Sequence, residues 1–268
     1  MPVRRTAAQL VAAGLTAALL AAMASPGLAG VGPDQSAQPA NPTKSSAPVA
    51  GWAAPIGDAT ELLNGVEVTA PKGRTAYAYT QSVIYWSVTA ARPDSGKPTL
   101  WLYADEDNTD LLAESSTRGA KIEFVAVDTN HAPAPTTYFP TVRSKDGTST
   151  VELDNAAGII FDDNPDEFTL SADDVVIVTD VFLDDGVTYK LTVTGPANGD
   201  PDLFVMRSAE AEEDSWYQAR TDAFAKAGKR PAGEKEKITI TGDGSWHGLV
   251  LIQQSGSGTY TVKKSPIL

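Results

Sequence analysis

The segment Tyr189-Lys190-Leu191-Thr192-Val193-Thr194 alternates apolar and polar side chains, and this pattern decides the fold class. The same alternation recurs in Ile84-Tyr85-Trp86-Ser87-Val88-Thr89 and in Lys121-Ile122-Glu123-Phe124-Val125. Because successive side chains of a β-strand point to opposite faces, each segment predicts a strand with one apolar and one solvated face. Many such runs, bounded by Gly, Pro, Asp or Asn, predict an all-β fold built from antiparallel sandwiches.

Four of these segments occur twice in the same order. The matched pairs are residues 85–90 with 189–194, 99–103 with 202–206, 121–124 with 237–240, and 146–151 with 257–262. Their separations along the chain are 104, 103, 116 and 111 residues. Separations that stay nearly constant and then jump indicate one fold used twice with loops of different length.

The repeat predicts two tandem antiparallel jelly-roll-like β-sandwich domains, residues 52–154 and 155–268. Residues 1–29 are predicted to be a signal peptide, because two arginines precede an Ala/Leu-rich run that ends at a small-x-Ala cleavage site. Residues 30–51 are rich in Pro, Ala and Ser, which predicts a disordered linker. That linker would serve either as a tether to a cell surface or as a simple spacer.

The second copy carries about 13 extra residues between its matched strands, and they predict one short helix. Trp216, Arg220, Phe224 and Ala227 fall at helical spacing, and Gly228 is a suitable end. We expect the aromatic stripe of this helix to pack against the sandwich.

The second copy resembles the bacterial pre-peptidase C-terminal domain, a small jelly-roll-like sandwich often appended to secreted hydrolases. The resemblance covers most of residues 165–264 and is carried by residues 186–193, 199–205 and 256–262. The first copy has Lys97 and Thr99 where the acidic pair Asp200 and Asp202 stands in the second. The resemblance implies an accessory-type fold and lends no catalytic activity, since no peptidase segment precedes either copy.

Composition excludes several functional classes. The chain of 268 residues has 21 basic and 34 acidic side chains, a net charge of −13 and no cysteine. A disulfide framework, thiol catalysis and cysteine-ligated zinc are therefore excluded, and so acidic a chain is not expected to bind nucleic acid. Beyond the signal peptide no apolar run approaches roughly 18 residues, so no membrane span is expected. We expect a secreted, extracellular monomer, with association to the cell surface left open.

Clustered acids make calcium the metal to consider. Nine acidic residues and no Lys or Arg lie between Asp162 and Asp185, and hard cations bind clustered oxygen ligands. The alternative is a solvated acidic surface that keeps the protein soluble. A shorter acidic run, residues 105–110, lies in the first copy. The candidate ligands are Asp162, Asp163, Asp166, Glu167, Asp184, Asp185, Asp200 and Asp202.

Catalytic residues are not predicted. The chain has only two histidines, His131 and His247, and no Gly-x-Ser-x-Gly elbow. Ser245 and His247 would share one face of a strand, which is the weak basis for a hydrolase alternative. Trp86 and Trp101 are expected in the core. The candidate ligand-binding residues, near the insertion and a turn, are Trp216, Tyr217, Trp246 and His247.

The resulting functional prediction is a secreted, non-catalytic binding or accessory module. It would recognise an extracellular protein or polysaccharide and would be stabilised by Ca²⁺. The alternatives are a structural protein of the cell envelope or matrix, a secreted hydrolase, and a hydrolase inhibitor acting through the proline-stiffened loop 130–140.

Overall fold

The computed structural model describes residues 59–81, 86–119, 121–128, 136–156, 158–208, 216–228 and 230–267. Within these residues the chain forms nineteen β-strands and one three-residue 3₁₀ turn, so the all-β prediction is confirmed. The predicted signal peptide and linker lie outside the described residues, as does His131.

The strands divide between the two halves of the chain. The first nine are β1 (Thr60–Glu61), β2 (Val68–Ala70), β3 (Gly73–Gln81), β4 (Trp86–Pro93), β5 (Lys97–Tyr103), β6 (Leu111–Ser115), β7 (Glu123–Asp128), β8 (Thr136–Lys145) and β9 (Ser149–Asn155). The others are β10 (Ile159–Ile160), β11 (Asp166–Leu170), β12 (Val176–Leu183), β13 (Thr188–Thr194), β14 (Asp200–Arg207), β15 (Trp216–Ala219), β16 (Ala225–Ala227), β17 (Glu236–Thr241), β18 (Ser245–Ser255) and β19 (Gly258–Pro266).

These strands form four sheets with a repeated strand order. Sheet I has the order β1-β3-β8-β5-β6 and sheet II the order β15-β7-β4-β9-β2. Sheet III, β10-β12-β18-β14-β16, repeats sheet I, and sheet IV, β17-β13-β19-β11, repeats sheet II without an equivalent of β15. Even the parallel pair β1–β3 recurs as β10–β12, while the remaining strand pairs are antiparallel. The strand order is therefore duplicated strand for strand, apart from β15.

Strand pairing gives the alignment of the two copies. Ala91 pairs with Val151 in sheet II, and Val193 pairs with Val262 in sheet IV. In the structure, equivalent residues of β4 and β13 are therefore 102 residues apart, and those of β9 and β19 are 111 apart. The sequence alignment gave separations of 104 and 111 for the same strands. A two-residue difference leaves the same side chains on the same face, because the strand period is two.

A buried glutamate begins the next pair of equivalent strands. The backbone N–H of Thr117 donates to Glu123 Oε1 at 2.9 Å, and that of Arg230 donates to Glu236 Oε1 at 2.7 Å. Glu123 and Glu236 lie 113 residues apart, and the sequence alignment, which matched Lys121 with Lys237, gave 116. An odd difference exchanges the two faces of the strand, so that alignment paired core-facing residues wrongly.

Three apolar cores separate the four sheets, which stack in the order I, II, III, IV. The first lies between sheets I and II and includes Leu100, Val125 and Tyr138. The middle core, between sheets II and III, includes Trp86 and Phe204, and the third fills the space between sheets III and IV. The described residues, which begin at 59, consequently belong to one compact unit.

The inner sheets are buried on both faces, which corrects the solvated face expected for β4 and β7. All six residues of β7 are buried, as are the first six of β4. The polar Ser87 of β4 remains hydrogen-bonded, since its hydroxyl contacts Tyr79 Oη at 2.9 Å and donates to Gln81 Oε1 at 2.9 Å. Strand β13, in outer sheet IV, keeps the predicted alternation.

Carboxylates join the two halves beside the middle core. Glu152 of β9 accepts the backbone N–H groups of Val175 and Val176 at 2.6 and 3.2 Å. Asp154, two residues later, accepts that of Val178 at 2.8 Å. These side chains satisfy N–H groups at an edge of β12 that is otherwise paired only by the short β10.

The prediction of one short helix across residues 216–228 is wrong. This segment forms β15, a 3₁₀ turn at Arg220–Asp222, and β16. Strand β15 crosses to the first half of the chain and pairs antiparallel with β7, with Tyr217 opposite Val127. Gln218 holds this path, because its amide exchanges hydrogen bonds with the backbone of Arg207 at 2.6 and 3.2 Å. Pairing with a distant strand outweighs the local helical spacing.

Candidate functional site

Sheet I presents a group of large apolar side chains on its outer side. Trp101 and Tyr103 alternate along β5, with Phe139 of β8 and Leu111 of β6 directly opposite Tyr103. These side chains point outward because their neighbours Leu100, Leu102 and Tyr138 point into the core. The three rings are half-buried and Leu111 is exposed. We name this group, Trp101, Tyr103, Leu111 and Phe139, the aromatic face.

Arg74 of β3, which is separated from β5 by β8, orders two rings of the aromatic face. Its guanidinium carbon lies 5.6 Å from the centre of the Trp101 ring and 5.9 Å from that of Tyr103, within the range of cation–π attraction. Its Nη2 also donates to Tyr103 Oη at 3.3 Å. Burial raises the pKa of Tyr103, against the lowering effect of Arg74, so this phenol is neutral at neutral pH. Arg74 therefore holds the rings of Trp101 and Tyr103 in place.

Charged and polar side chains border the aromatic face. Glu114 of β6 lies opposite Trp101, and the exposed Arg143 of β8 lies opposite Thr99. Beyond β5 the acidic run 105–110 forms a turn, in which Asp105 accepts the backbone N–H of Asp110 at 2.6 Å. These groups supply hydrogen-bond donors and acceptors beside the half-buried rings.

A second candidate site is the acidic triad of Glu67, Glu152 and Asp174. One carboxylate oxygen from each lies within 4.8 Å of the other two. Burial, a hydrogen bond with Asp174 and the charges of Glu152 and Asp174 raise the pKa of Glu67 to about 7. Because Glu67 and Glu152 come from the first half and Asp174 from the second, the triad bridges the two halves. Such a group can share a proton or hold a hard cation.

The eight acids predicted to bind calcium are distributed over the second half. Asp162 and Asp163 form ion pairs with Lys264 and Lys263, and Asp184 accepts the hydroxyl of Tyr189. Asp202 accepts the amide of Gln254 at 2.7 Å and pairs with Arg220 at 3.4 Å. Asp166 and Glu167 lie in β11, Asp185 in the turn after β12, and Asp200 at the start of β14. Within the described ranges the acidic triad is the one group of three carboxylates close enough to share an ion, and it contains none of the eight.

The predicted ligand-binding residues have different environments. Trp246 is 39% exposed and lies edge-on to Phe182, with ring centres 5.3 Å apart. Tyr217 is half-buried and contacts Tyr138 at 5.9 Å between ring centres, as part of the first core. The side chain of Trp216 is outside the described structure. Of these residues, Trp246 remains a candidate for an exposed contact.

His247 is fully buried, and its Nε2 lies 3.6 Å from Asp243 Oδ2. Its ring stacks on Phe224 at 5.8 Å, and its Nδ1 lies 3.1 Å from the carbonyl oxygen of Ser245. The hydroxyl of Ser245 donates to Asp243 at 2.6 Å, so it is bonded to a carboxylate and not to the imidazole. Burial lowers the pKa of His247, and the charge of Asp243 offsets only part of this effect. The lowered pKa favours the neutral ring.

Sequence reasoning placed Trp86 correctly and Trp101 wrongly. Trp86 is fully buried in the middle core, and its indole packs directly on Gly248. Trp101 was expected in the core but faces outward. The missed signal is the strict alternation of Lys97–Tyr103, in which Leu100 and Leu102 fix the buried face and leave Trp101 and Tyr103 on the other. The acidic triad has no comparable signal, because its members are far apart in the chain.

Comparison with known proteins does not assign a family. No protein-family model matches the chain, and no curated protein sequence matches it. In the part of the chain that the structure describes, no helix is both long enough and apolar enough to cross a bilayer. The resemblance of the second copy to the pre-peptidase C-terminal domain therefore stays a prediction, and function rests on the geometry of the described faces.

Proposed function

We propose that the protein is a secreted, non-catalytic binding module that holds an extracellular polysaccharide on the aromatic face. The observation that carries this proposal is the set of three rings, Trp101, Tyr103 and Phe139, side by side on the outer side of sheet I. Exposed aromatic groups with a few polar side chains around them are typical of ligand-binding surfaces.

The chemistry of the face suits sugar rings. The apolar C–H side of a pyranose packs on an aromatic ring, and its hydroxyl groups accept and donate hydrogen bonds at the ring edge. Arg143 and Glu114 at the border supply a donor and an acceptor for those hydroxyls. Because Arg74 already fixes Trp101 and Tyr103, little side-chain entropy would be lost on binding.

A pull-down with insoluble polysaccharides tests the proposal. We expect the wild-type protein to bind at least one of cellulose, chitin and purified cell-wall glycan. We expect Trp101→Ala to weaken that binding about tenfold or more, which corresponds to roughly 1.4 kcal/mol. Trp246→Ala removes an exposed tryptophan of β18, in sheet III and outside the aromatic face, and serves as the matched control, with binding to the glycan unchanged. Loss of binding in Trp246→Ala but not in Trp101→Ala would contradict the proposal. Failure of the wild-type protein to bind any of the three glycans would also contradict it.

Calcium stabilisation stays part of the proposal and has its own test. Of the described carboxylates, those of the acidic triad are arranged closely enough to share a cation. If Ca²⁺ binds there, a thermal melt in millimolar Ca²⁺ should end at a higher temperature than one in chelator, because a ligand of the folded state stabilises it. Glu152→Gln should remove that difference. Superimposable wild-type melts would remove calcium from the account.

A further inference from the structure

Strands β7 and β17 are equivalent in the two halves, and within the described residues only β7 is paired at both edges. Each strand begins with a buried glutamate, Glu123 or Glu236, that accepts a backbone N–H six residues upstream. Each also pairs with the equivalent inner neighbour, β4 or β13. The equivalence therefore includes local hydrogen bonding as well as strand order.

The difference lies at the outer edge of the two strands. Strand β15 covers β7 by pairing antiparallel with its residues from Val125 to Asp128. The equivalent residues of β17 run from Ile238 to Thr241. Strand β17 is the last strand of sheet IV, and no strand of the described residues pairs with its outer edge. An uncovered edge offers N–H and C=O groups to a further strand.

The side chains of β17 suit continued pairing. Glu236, Ile238 and Ile240 are buried, whereas Lys237, Thr239 and Thr241 are exposed. This clean alternation fixes which face of a partner strand would be apolar. The ends differ in charge: Lys235 precedes β17, beside a Glu234 that is ion-paired with Arg230, and Lys237 lies within β17, whereas Asp243 lies in the turn after the other end.

We propose that β17 pairs with β17 of a second copy of this chain across a twofold axis, which joins two sheets IV into one eight-stranded sheet. A twofold axis makes the paired strands antiparallel, which is also the direction of β15 against β7. With the axis at Thr239, Lys237 lies opposite the partner's Thr241 and Lys235 lies opposite the partner's Asp243. Side chains of the same face then meet, as an antiparallel pair requires.

The charges favour this arrangement over other partners. In the antiparallel pair Lys235 of each copy comes beside the partner's Asp243, whereas a parallel pair would place Lys237 beside Lys237. This dimer is the alternative to the monomer expected from the sequence.

A single engineered cysteine tests the pairing, because the chain has none of its own. The Cβ atoms of the two Thr239 residues would lie about 5 Å apart across the axis, close enough for a disulfide after small adjustment. We expect oxidised Thr239→Cys to migrate as a covalent dimer. Thr169→Cys, on β11 at the other side of the same sheet, has an equally exposed position and should stay monomeric.

Sedimentation equilibrium of the unmodified chain provides the second measurement. We expect a dimer whose dissociation constant rises at least tenfold in Thr239→Glu, since two like charges would meet at the axis, while circular dichroism stays unchanged. A monomer at all concentrations would overturn the proposal. Equal cross-linking of the two cysteine variants would also overturn it. So would a monomer in which the Thr239→Cys thiol does not react with a soluble thiol reagent, because another segment of the chain would then cover this edge. None of these results bears on polysaccharide binding.

Discussion

The two halves of the molecule share a strand order but expose different chemistry. The outer side of sheet I carries aromatic side chains and arginines, such as Trp101 and Arg74, whereas that of sheet IV carries threonines and lysines. On the sheet IV face, Lys263, Thr192 and Lys237 lie in one row across three strands. The cores are alike, so the difference shows that duplication preserved packing while the exposed positions diverged.

The inner sheets show what the two halves share. Sheets II and III are each apolar on both faces, and the middle core between them takes side chains from both halves. Strand β15 and the carboxylates of Glu152 and Asp154 add contacts from one half to the other. We therefore expect that neither half retains its stability without the other.

Removal of Trp86 should have the largest effect. Trp86→Ala takes a fully buried indole from the middle core, and truncations of this kind cost about 3–5 kcal/mol. Trp101→Ala, on the half-buried aromatic face, should cost no more than about 2 kcal/mol. Urea unfolding monitored by far-UV circular dichroism measures both. Equal losses in the two variants would contradict the assignment of Trp86 to the core that the halves share.

The equivalent glutamates should give matched, intermediate effects. Glu123→Gln and Glu236→Gln each weaken a buried charge-assisted bond to a loop N–H, so we expect each to cost about 1–3 kcal/mol. Glu114→Gln, on an exposed position of β6, is the control and should be nearly neutral. The same urea titration distinguishes them. A large effect at only one of the two buried positions would show that the copies use this residue differently.

Alternation predicted the fold class because the outer strands follow it closely. Lys97–Tyr103 and Glu236–Thr241 alternate as expected for sheets with one solvated face. The continuous burial of Glu123–Asp128 was misread, because a strand covered on both faces has no period to detect. Strand β15 was also missed, since its pairing depends on a partner almost 90 residues earlier in the chain.

Sites assembled from distant residues were not readable from the sequence. Dense local acids suggested calcium, yet Asp162 and Asp163 are engaged by neighbouring lysines. The acidic triad joins residues from a loop before β2, from β9 and from the turn before β12. Strand pairing decides which charges meet, and the pairing of distant residues is not readable from local density of charge.

The acidic triad predicts that the stability of the folded protein depends on pH, with a smaller effect than the substitutions above. Burial and the hydrogen bond with Asp174 raise the pKa of Glu67 from 4.5 to about 7, so the folded state keeps a proton that the unfolded chain releases. This stabilisation is complete below pH about 4.5, falls as the pH rises towards 7, and is lost above that. Burial and the charge of Asp128 raise the pKa of Asp180 to about 7, which acts in the same direction.

Urea midpoints between pH 5 and pH 8 test this dependence. We expect the wild-type midpoint to fall across this range and Glu67→Gln to flatten the fall, while the contribution of Asp180 remains. Asp146→Asn, at an exposed turn, is the control and should leave the slope unchanged. Parallel curves for wild type and Glu67→Gln would show that the triad does not hold a proton at the junction.

The sharing of one middle core by the two copies is tested most directly by calorimetry of residues 52–268. If the two copies unfold together, a single transition should appear, with equal calorimetric and van't Hoff enthalpies. Trp86→Ala should then lower that one transition without splitting it. Two separable transitions, only one of which responds to the substitution, would contradict the account and describe two independent sandwiches.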